Sequence, residues 1–545
     1  MRIISRLITC LLVAAVTQCV LGQTANQLRL SLRHDPKTFD PLLVSEDAGE
    51  AVRYLTGGVL IRINRNTQAF EPELATSWKL ADGGRRITFH LREGIRFSEG
   101  TSFSAEDVAF TVKRMMDPDL HSPTGDSFRA SSGGVQVTVE RPNQVSLQFS
   151  TPIAGVERLF DQVAIMSSRS LKKESAVLGP YFVAEYKPGS HVALARNPNY
   201  WKKDGTGKRL PYIDSVRFDI QANRDIETLR LRRGDVHMIS ALDAEAFDQL
   251  KTVPNLRTLD AGPSYDSEMV CFNQVQNAPI PDYKKTWFRS RTFRRAISGS
   301  VNRSDIARLV YRGHAEPAAG PFSAANRLWF NPKVKPHGYD PDQALRELRK
   351  EGFRLEKGQL YDQNGHPVEF SLITNSGNKP RARIASLLQQ DLVKIGIRLS
   401  IVSLDFASLV ERISRTFSYE ACLLGLVNVD PDPNGQMNVW LSSAANHQWN
   451  PSQKAPETPW EAEIDRLMRA QASSIDVARR RSSFNRVQEI ISVEVPFLYL
   501  VTKNSLVSVS THLKGVSASP LRPQLYWNAE HLYFENVEPK ARAQR

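Results

Sequence analysis

Beyond the first two dozen residues, apolar and polar positions alternate in short runs that stop at proline, glycine or asparagine. "NQLRLSLR", Asn26 to Arg33, has the period-two pattern of a half-buried strand. "AGEAVRYLTGGVLIRI" reads as a short helix feeding a second strand. In "RRITFHLREGIRFSEGTSFSAEDVAFTVKRMMDP", a strand and a turn-rich connection lead to Ser104, which is placed to N-cap a helix over Ala105–Met116. Asp107 at the third helical position completes a capping-box pattern. "LGPYFVAEYKPGSHVALARNPNYW" predicts a hairpin around the turn Lys187–Ser190, and a helix around "IETLRLRRGD" ends at Gly234. From Trp287 a second α/β block follows, with helices near "FRRAISGSV", "DPDQALRELRKEG" and "RIASLLQQDLVKIG" and strands near "EFSLIT" and "RLSIVSL". One long helical region is expected from Glu461 to about Ser492, and "PFLYLVTKNSLVSVS" closes the pattern as a strand. No internal repeat or low-complexity linker interrupts these blocks, which points to lobes joined by several chain crossings.

Length adds a domain count. A chain of 545 residues exceeds one hydrophobic core, so two or three domains are expected. Hydrophobic residues at 41% and charged residues at 24% are ordinary for a soluble globular protein. The first 22 residues differ: Arg2 and Arg6 precede an apolar run, Leu7 to Val16, and then small residues. That is the layout of a secretory signal peptide cleaved before Gln23, with an apolar core too short to span a bilayer. Gln18 is too large for a lipoprotein signal ending at Cys19, so a soluble exported chain is expected. Losing the leader's two arginines lowers the formal charge from +13 to +11. The remaining arginines are scattered among acids, as in "RDIETLRLRRGD", which is a solvated surface and no nucleic-acid footprint. Two cysteines remain after the leader, Cys271 and Cys422, in strand-like runs without zinc spacing. In an oxidising compartment they either join or stay as buried thiols.

Candidate chemistry concentrates in "GLVNVDPDPNGQMNVW", Gly425 to Trp440. Asp430 opens a calcium-loop-like pattern, but position twelve holds Leu441 where a bidentate glutamate is needed. Asp430 and Asp432 also suit a carboxylate pair, although neither a second perturbed group nor a pocket is visible. The plain reading is a Pro-Asp turn after a buried strand. "DGTGKRL" lacks the Ser/Thr and first glycine of a phosphate loop, and neither HExxH nor GxSxG occurs. No metal site, cofactor or catalytic residue is nominated.

Six collinear stretches carry a family resemblance. They are Pro72–Arg114 ("PELATSWKLADGGRRITFHLREGIRFSEGTSFSAEDVAFTVKR"), Gly179–Trp201, "LPYIDSVRF", "LRRGDVHM", Phe293–Phe322 and "YDPDQALRELRKEGF". In them the chain resembles the extracytoplasmic solute-binding proteins of oligopeptide, dipeptide and nickel ABC importers, family 5. The resemblance implies a two-lobed α/β protein with the type II periplasmic-binding-protein fold and a ligand cleft between the lobes. Lobe I would be discontinuous (23–65, 176–268 and 505–545) with an inserted subdomain at 66–175, and lobe II would span 269–504. Strands around Cys271 and after Pro496 would connect the lobes. Peptide-binding relatives hold the ligand backbone as an added strand, and a strand aspartate pairs with its α-ammonium. Matching Asp432-Pro433 to the family's acidic-Pro pair puts Val429 at that aspartate. Asp430, one residue on, substitutes only if the loop is shifted, since adjacent strand residues face opposite ways; otherwise the ammonium is held elsewhere or the ligand has no free amine there. The resemblance nominates Ser45, Glu46 and Asp47 on lobe I, and Val427, Asn428, Val429 and Asp430 on lobe II, as pocket wall. The expected partners are a peptide or other small solute and ABC permease subunits, outside the cytoplasm, with the protein acting as a monomer. A ligand sensor of the same fold, and an exported hydrolase using Asp430 and Asp432, are the competing readings.

Overall fold

The computed structural model describes residues 26–125, 128, 134–171, 174–427 and 431–535. The expected leader lies outside them. The chain opens with β1 (Gln27–Leu32) and α1 (Asp47–Thr56). A separate unit follows, made of β2 (Ala75–Ala81), β3 (Arg86–Leu91), α2 (Ala105–Met115), β4 (Val135–Arg141) and β5 (Gln144–Phe149). Its antiparallel sheet has the order β2-β3-β5-β4, and Ile87, Phe89, Val145 and Leu147 share a core with Val108 and Val112 of α2. Both arms of the capping box form at Ser104 and Asp107, which is why α2 starts where the sequence predicts. Then β6 (Tyr181–Lys187), β7 (His191–Arg196) and β8 (Ser215–Ile220) rejoin β1 in the order β1-β8-β7-β6. β1 and β8 are parallel, with Leu28 opposite Val216, so the 75–149 unit is enclosed in sequence between two paired strands.

Next come α3 (Arg224–Arg233), β9 (Met238–Ile239), α4 (Ala244–Leu250) and the long β10 (Leu256–Phe272). α3 ends at Gly234, whose φ of +78° is open to glycine without strain. The second block supplies β11 (Glu369–Asn375), α5 (Lys379–Val393), β12 (Arg398–Leu404), β13 (Ala421–Val427), α6 (Pro459–Ala472), α7 (Val477–Glu494) and β14 (Phe497–Ser510). The large sheet has the order β9-β14-β10-β13-β11-β12, with the short strand Ala315–Pro317 on β14. β11 is parallel to both β12 and β13, while β10 runs antiparallel to β13 and β14. Phe370, Leu372, Ile373 and Thr374 are all buried because both faces of this sheet are covered.

β10 and β14 tie the cores together. Val270, Phe272, Leu498 and Leu500 pack in the core of the second block, whereas Val507 and Val509 pack with Leu28, Leu30 and Val216 of the first. The region expected as one long helix is two, α6 and α7. Asp476 ends the continuity by capping a new helix, accepting the Ala478 N–H at 2.9 Å and the Arg479 N–H at 3.2 Å. Cys271 and Cys422 stand directly opposite each other on β10 and β13, buried and both as thiols. Among the described residues no helix is long and apolar enough to cross a membrane.

Candidate functional site

The parallel strands β11, β12 and β13 all end at one edge of the large sheet, β11 and β12 followed by Ser376–Asn378 and Asp405, and β13 ending at Val427. Carboxyl ends of parallel strands are where open α/β sheets hold ligands, because side chains and helix starts there are not consumed by the ladder. β10 lays three polar residues, Asp266, Ser267 and Glu268, against the end of β13. Asp266 is opposite Val427 and Glu268 is opposite Gly425, so one face carries both acids.

A cavity of about 490 Å³ opens beside this edge. One wall comes from α3 and α4, through Thr228, Arg232 and Ala246 among others. The other comes from Tyr311 to His314 and the first turn of α5, and Asp266, Glu268, Lys503 and Asn504 on the crossing strands form the floor. The volume falls within the range typical of small-molecule sites.

Most floor charges are already paired. Arg381 Nε donates to Glu268 at 2.8 Å and its Nη1 donates to Asn375 Oδ1 at 2.7 Å. A Cβ on residue 425 would lie 2.5 Å from Arg381 Nη2, so Gly425 makes room for the guanidinium. Asp266 lies 3.7 Å from both Lys503 and Arg522, and Arg522 reaches Asp47 at 3.6 Å. Burial alone would raise the Asp260 carboxyl, but donors from Asn504 and His314 and the Gly262 N–H hold it below the usual range. His314 therefore clips the second block to the bend of β10, with Nδ1 at 2.9 Å from Asp260 and Nε2 at 3.5 Å from Asp248 of α4. Burial pushes the Tyr311 phenol up, and the neighbouring Glu268 adds to the effect.

The nominated residues divide. Asp47 is exposed at the start of α1 and connects through Arg522 to the cavity floor. Ser45 is exposed just before it. Glu46 caps α1, accepting the Ala48 N–H at 2.7 Å and the Gly49 N–H at 2.8 Å, so its carboxylate is occupied by the helix end. Val427 ends β13 opposite Asp266, and Asn428, Val429 and Asp430 lie outside the described residues. Asp432 is nearly buried and held by Arg480 through two bonds, 2.5 Å and 3.1 Å. Both oxygens of this carboxylate are thus engaged by the guanidinium. Among the described residues no group of three or more His, Cys, Asp or Glu is placed to hold a metal.

Asp266, Glu268, Arg381 and Arg522 were not nominated from the sequence. The signal available was the polar pair at i and i+2 in "YDSEMVCF", an unusual interruption of an otherwise apolar strand.

Two lobes of α/β structure, crossed by paired strands and enclosing a polar cavity at a sheet's carboxyl edge, define a clamp for a small solute. The chain belongs to the bacterial extracellular solute-binding proteins, family 5, whose middle-region model matches residues 69–448. It is 24% identical over 520 residues to the oligopeptide-binding protein AppA of Bacillus subtilis, covering 90% of this chain and 88% of that one. It is 23% identical over 536 residues to the dipeptide-binding protein of Escherichia coli, covering 92% of each. The crystal structure of the ABC transporter substrate-binding protein CtaP of Listeria monocytogenes superposes with a TM-score of 0.79 at 20% identity, covering 93% of this chain and 99% of that one.

Proposed function

We propose that this protein is the exported receptor of an ABC importer, which captures a peptide or similar small solute between its lobes and hands it to a membrane permease. It works outside the cytoplasm, as a monomer, and performs no covalent chemistry. The observation that carries this reading is the cavity at the carboxyl edge of the large sheet, with most of its floor charges paired and contributions from both lobes. Such a site binds by enclosure and main-chain contacts, which suits a ligand whose backbone is constant and whose side chains vary. The names of the oligopeptide- and dipeptide-binding relatives support the same ligand class.

In this reading lobe I comprises 23–65, 176–268 and 505–545, the inserted subdomain 66–175, and lobe II 269–504. Ser45 and Asp47 on lobe I and Val427, Asn428, Val429 and Asp430 on lobe II are the proposed pocket residues, and Glu46 contributes by fixing the start of α1. The test is native mass spectrometry of the purified mature protein, then denaturation and sequencing of what is released. A ladder of short peptides is expected. A single non-peptide mass would keep the receptor role and replace the ligand class. Protein that is empty and unmoved in thermal shift by a broad peptide set would count against the peptide reading.

A further inference from the structure

Besides the crossing strands, the lobes touch where the inserted subdomain meets the Asp-Pro loop. The Asn434 Nδ2 group donates to the Ala154 carbonyl at 2.9 Å, and the Ala154 N–H donates to the Ala472 carbonyl at 3.2 Å. Gln471 Nε2 fixes Asn434 by donating to its Oδ1 at 2.8 Å. Gly155 lies directly over the Asp432–Arg480 ion pair: a Cβ there would be 3.1 Å from Asp432 Oδ2 and 3.3 Å from Arg480 Nη1. Its φ is +65°, so both its backbone and its lack of a side chain fit the contact. Gly84 repeats the device, with Ile475 seated where its Cβ would be. A third contact is the Gln68 amide, which donates to the Ala325 carbonyl at 2.8 Å.

We propose that this patch is a closure latch, in which the inserted subdomain positions lobe II over the solute, with Gly155 and Asn434 as the positioning residues. The inference rests on reading the cavity as a solute clamp. The contact has the composition of one that is made and broken. It uses a few hydrogen bonds between backbone and amide groups and two glycine faces. Beneath it lies an ion pair whose desolvation offsets part of the gain, which keeps the closed state from becoming permanent. Asp432, which the sequence places in the pocket loop, thus acts at one remove: Arg480 holds it, and Gly155 rests on both. A latch formed without solute raises the closed fraction in advance, so apparent affinity rises with that fraction.

The test uses spin labels at Lys79→Cys on β2 and Arg349→Cys on the helix Pro341–Lys350, both exposed, since the native thiols are buried. Interlobe distances are measured on full-length mature protein that has been unfolded, freed of solute and refolded. The unaltered protein is expected to show a substantial short-distance population. Asn434→Ala and Gly155→Ala, made on opposite sides of the contact, should each lower the short-to-long ratio about fivefold, the equivalent of one hydrogen bond, with little change in melting temperature. Either variant suffices if the other does not fold. An unaltered protein with only the long distance, or two folded variants with unchanged ratios, would overturn the latch. Because no solute is present, this outcome is separable from the fate of the receptor reading.

Discussion

His237 shows how one side chain ties stability to pH. Its Nδ1 accepts the Arg29 backbone N–H at 2.9 Å where the chain passes between β1 and β14, and its ring meets Phe534 edge-on. Burial, followed by the nearby charges of Arg29 and His512, holds its pKa down at about 4 from 6.5. The unfolded chain therefore takes up this proton before the folded one does as acid is added. Stability is complete above pH 6.5 and is lost between there and about 4, on the order of 3 kcal/mol from this group. His237→Asn keeps an acceptor near the same place and does not titrate in that range. Urea midpoints at pH 7.5 and 4.5 should fall less for the variant than for the unaltered protein, and equal falls would exclude His237 as the source. Glu461 is the opposite case. Burial alone would raise it, yet donors from His447, Gln453, Thr458 and Trp449 bring it to about 2. Replacing it with alanine takes the acceptor from the buried rings of His447 and Trp449 and should destabilise the fold by about 3 kcal/mol in urea unfolding, whereas a near-neutral change would mean the donors find water.

At the scale of elements, β10, β13 and α5 meet through Gly425, Glu268 and Arg381. A Cβ at 425 must move the guanidinium away from Glu268, leaving a largely buried carboxylate poorly paired. Gly425→Ala is expected to destabilise by about 2 kcal/mol, and by much less when Arg381 is already alanine. The check is a double-mutant cycle in denaturant; additive losses would show that the glycine serves the strand and not the pair. This is also where sequence reading reached its limit. Elements with local signals were legible: α2 from Ser104 and Asp107, the β6–β7 hairpin from Lys187–Ser190, α3 from Gly234. The break between α6 and α7 was missed because "ASSID" contains no proline or glycine, and only the capping carboxylate of Asp476 marks it. The cavity floor was hidden for a different reason. Asp266 meets Val427 and Arg522 across long stretches of chain, and no local periodicity encodes which strands pair.

For the whole molecule, the question is where the lobes bend. The β10–β14 ladder shifts register between Asp260 and Pro263 and again between Pro263 and Ser267, just where the strands pass from one core to the other. Gly262, with φ at +81°, occupies the first irregularity, and its N–H is held by Asp260 Oδ1 at 2.9 Å. Bulges re-aim a strand, and a glycine there can absorb a large torsional change. A left-handed torsion costs a non-glycine residue about 1 kcal/mol. If opening relaxes residue 262 to a negative φ, Gly262→Ala penalises only the closed state. Affinity for the solute recovered in the release experiment should then weaken about fivefold, and the empty protein should melt lower only in proportion to its closed fraction. If residue 262 keeps its torsion in both states, the penalty falls on each alike. The empty protein would then melt lower while affinity stayed fixed, and the bend would have to lie elsewhere, at the second irregularity near Ser267 and the Thr502–Asn504 strand facing it. Calorimetric titration and thermal unfolding of the same two proteins separate these cases, because one reads the difference between closed and open and the other reads the distance of both from the unfolded chain.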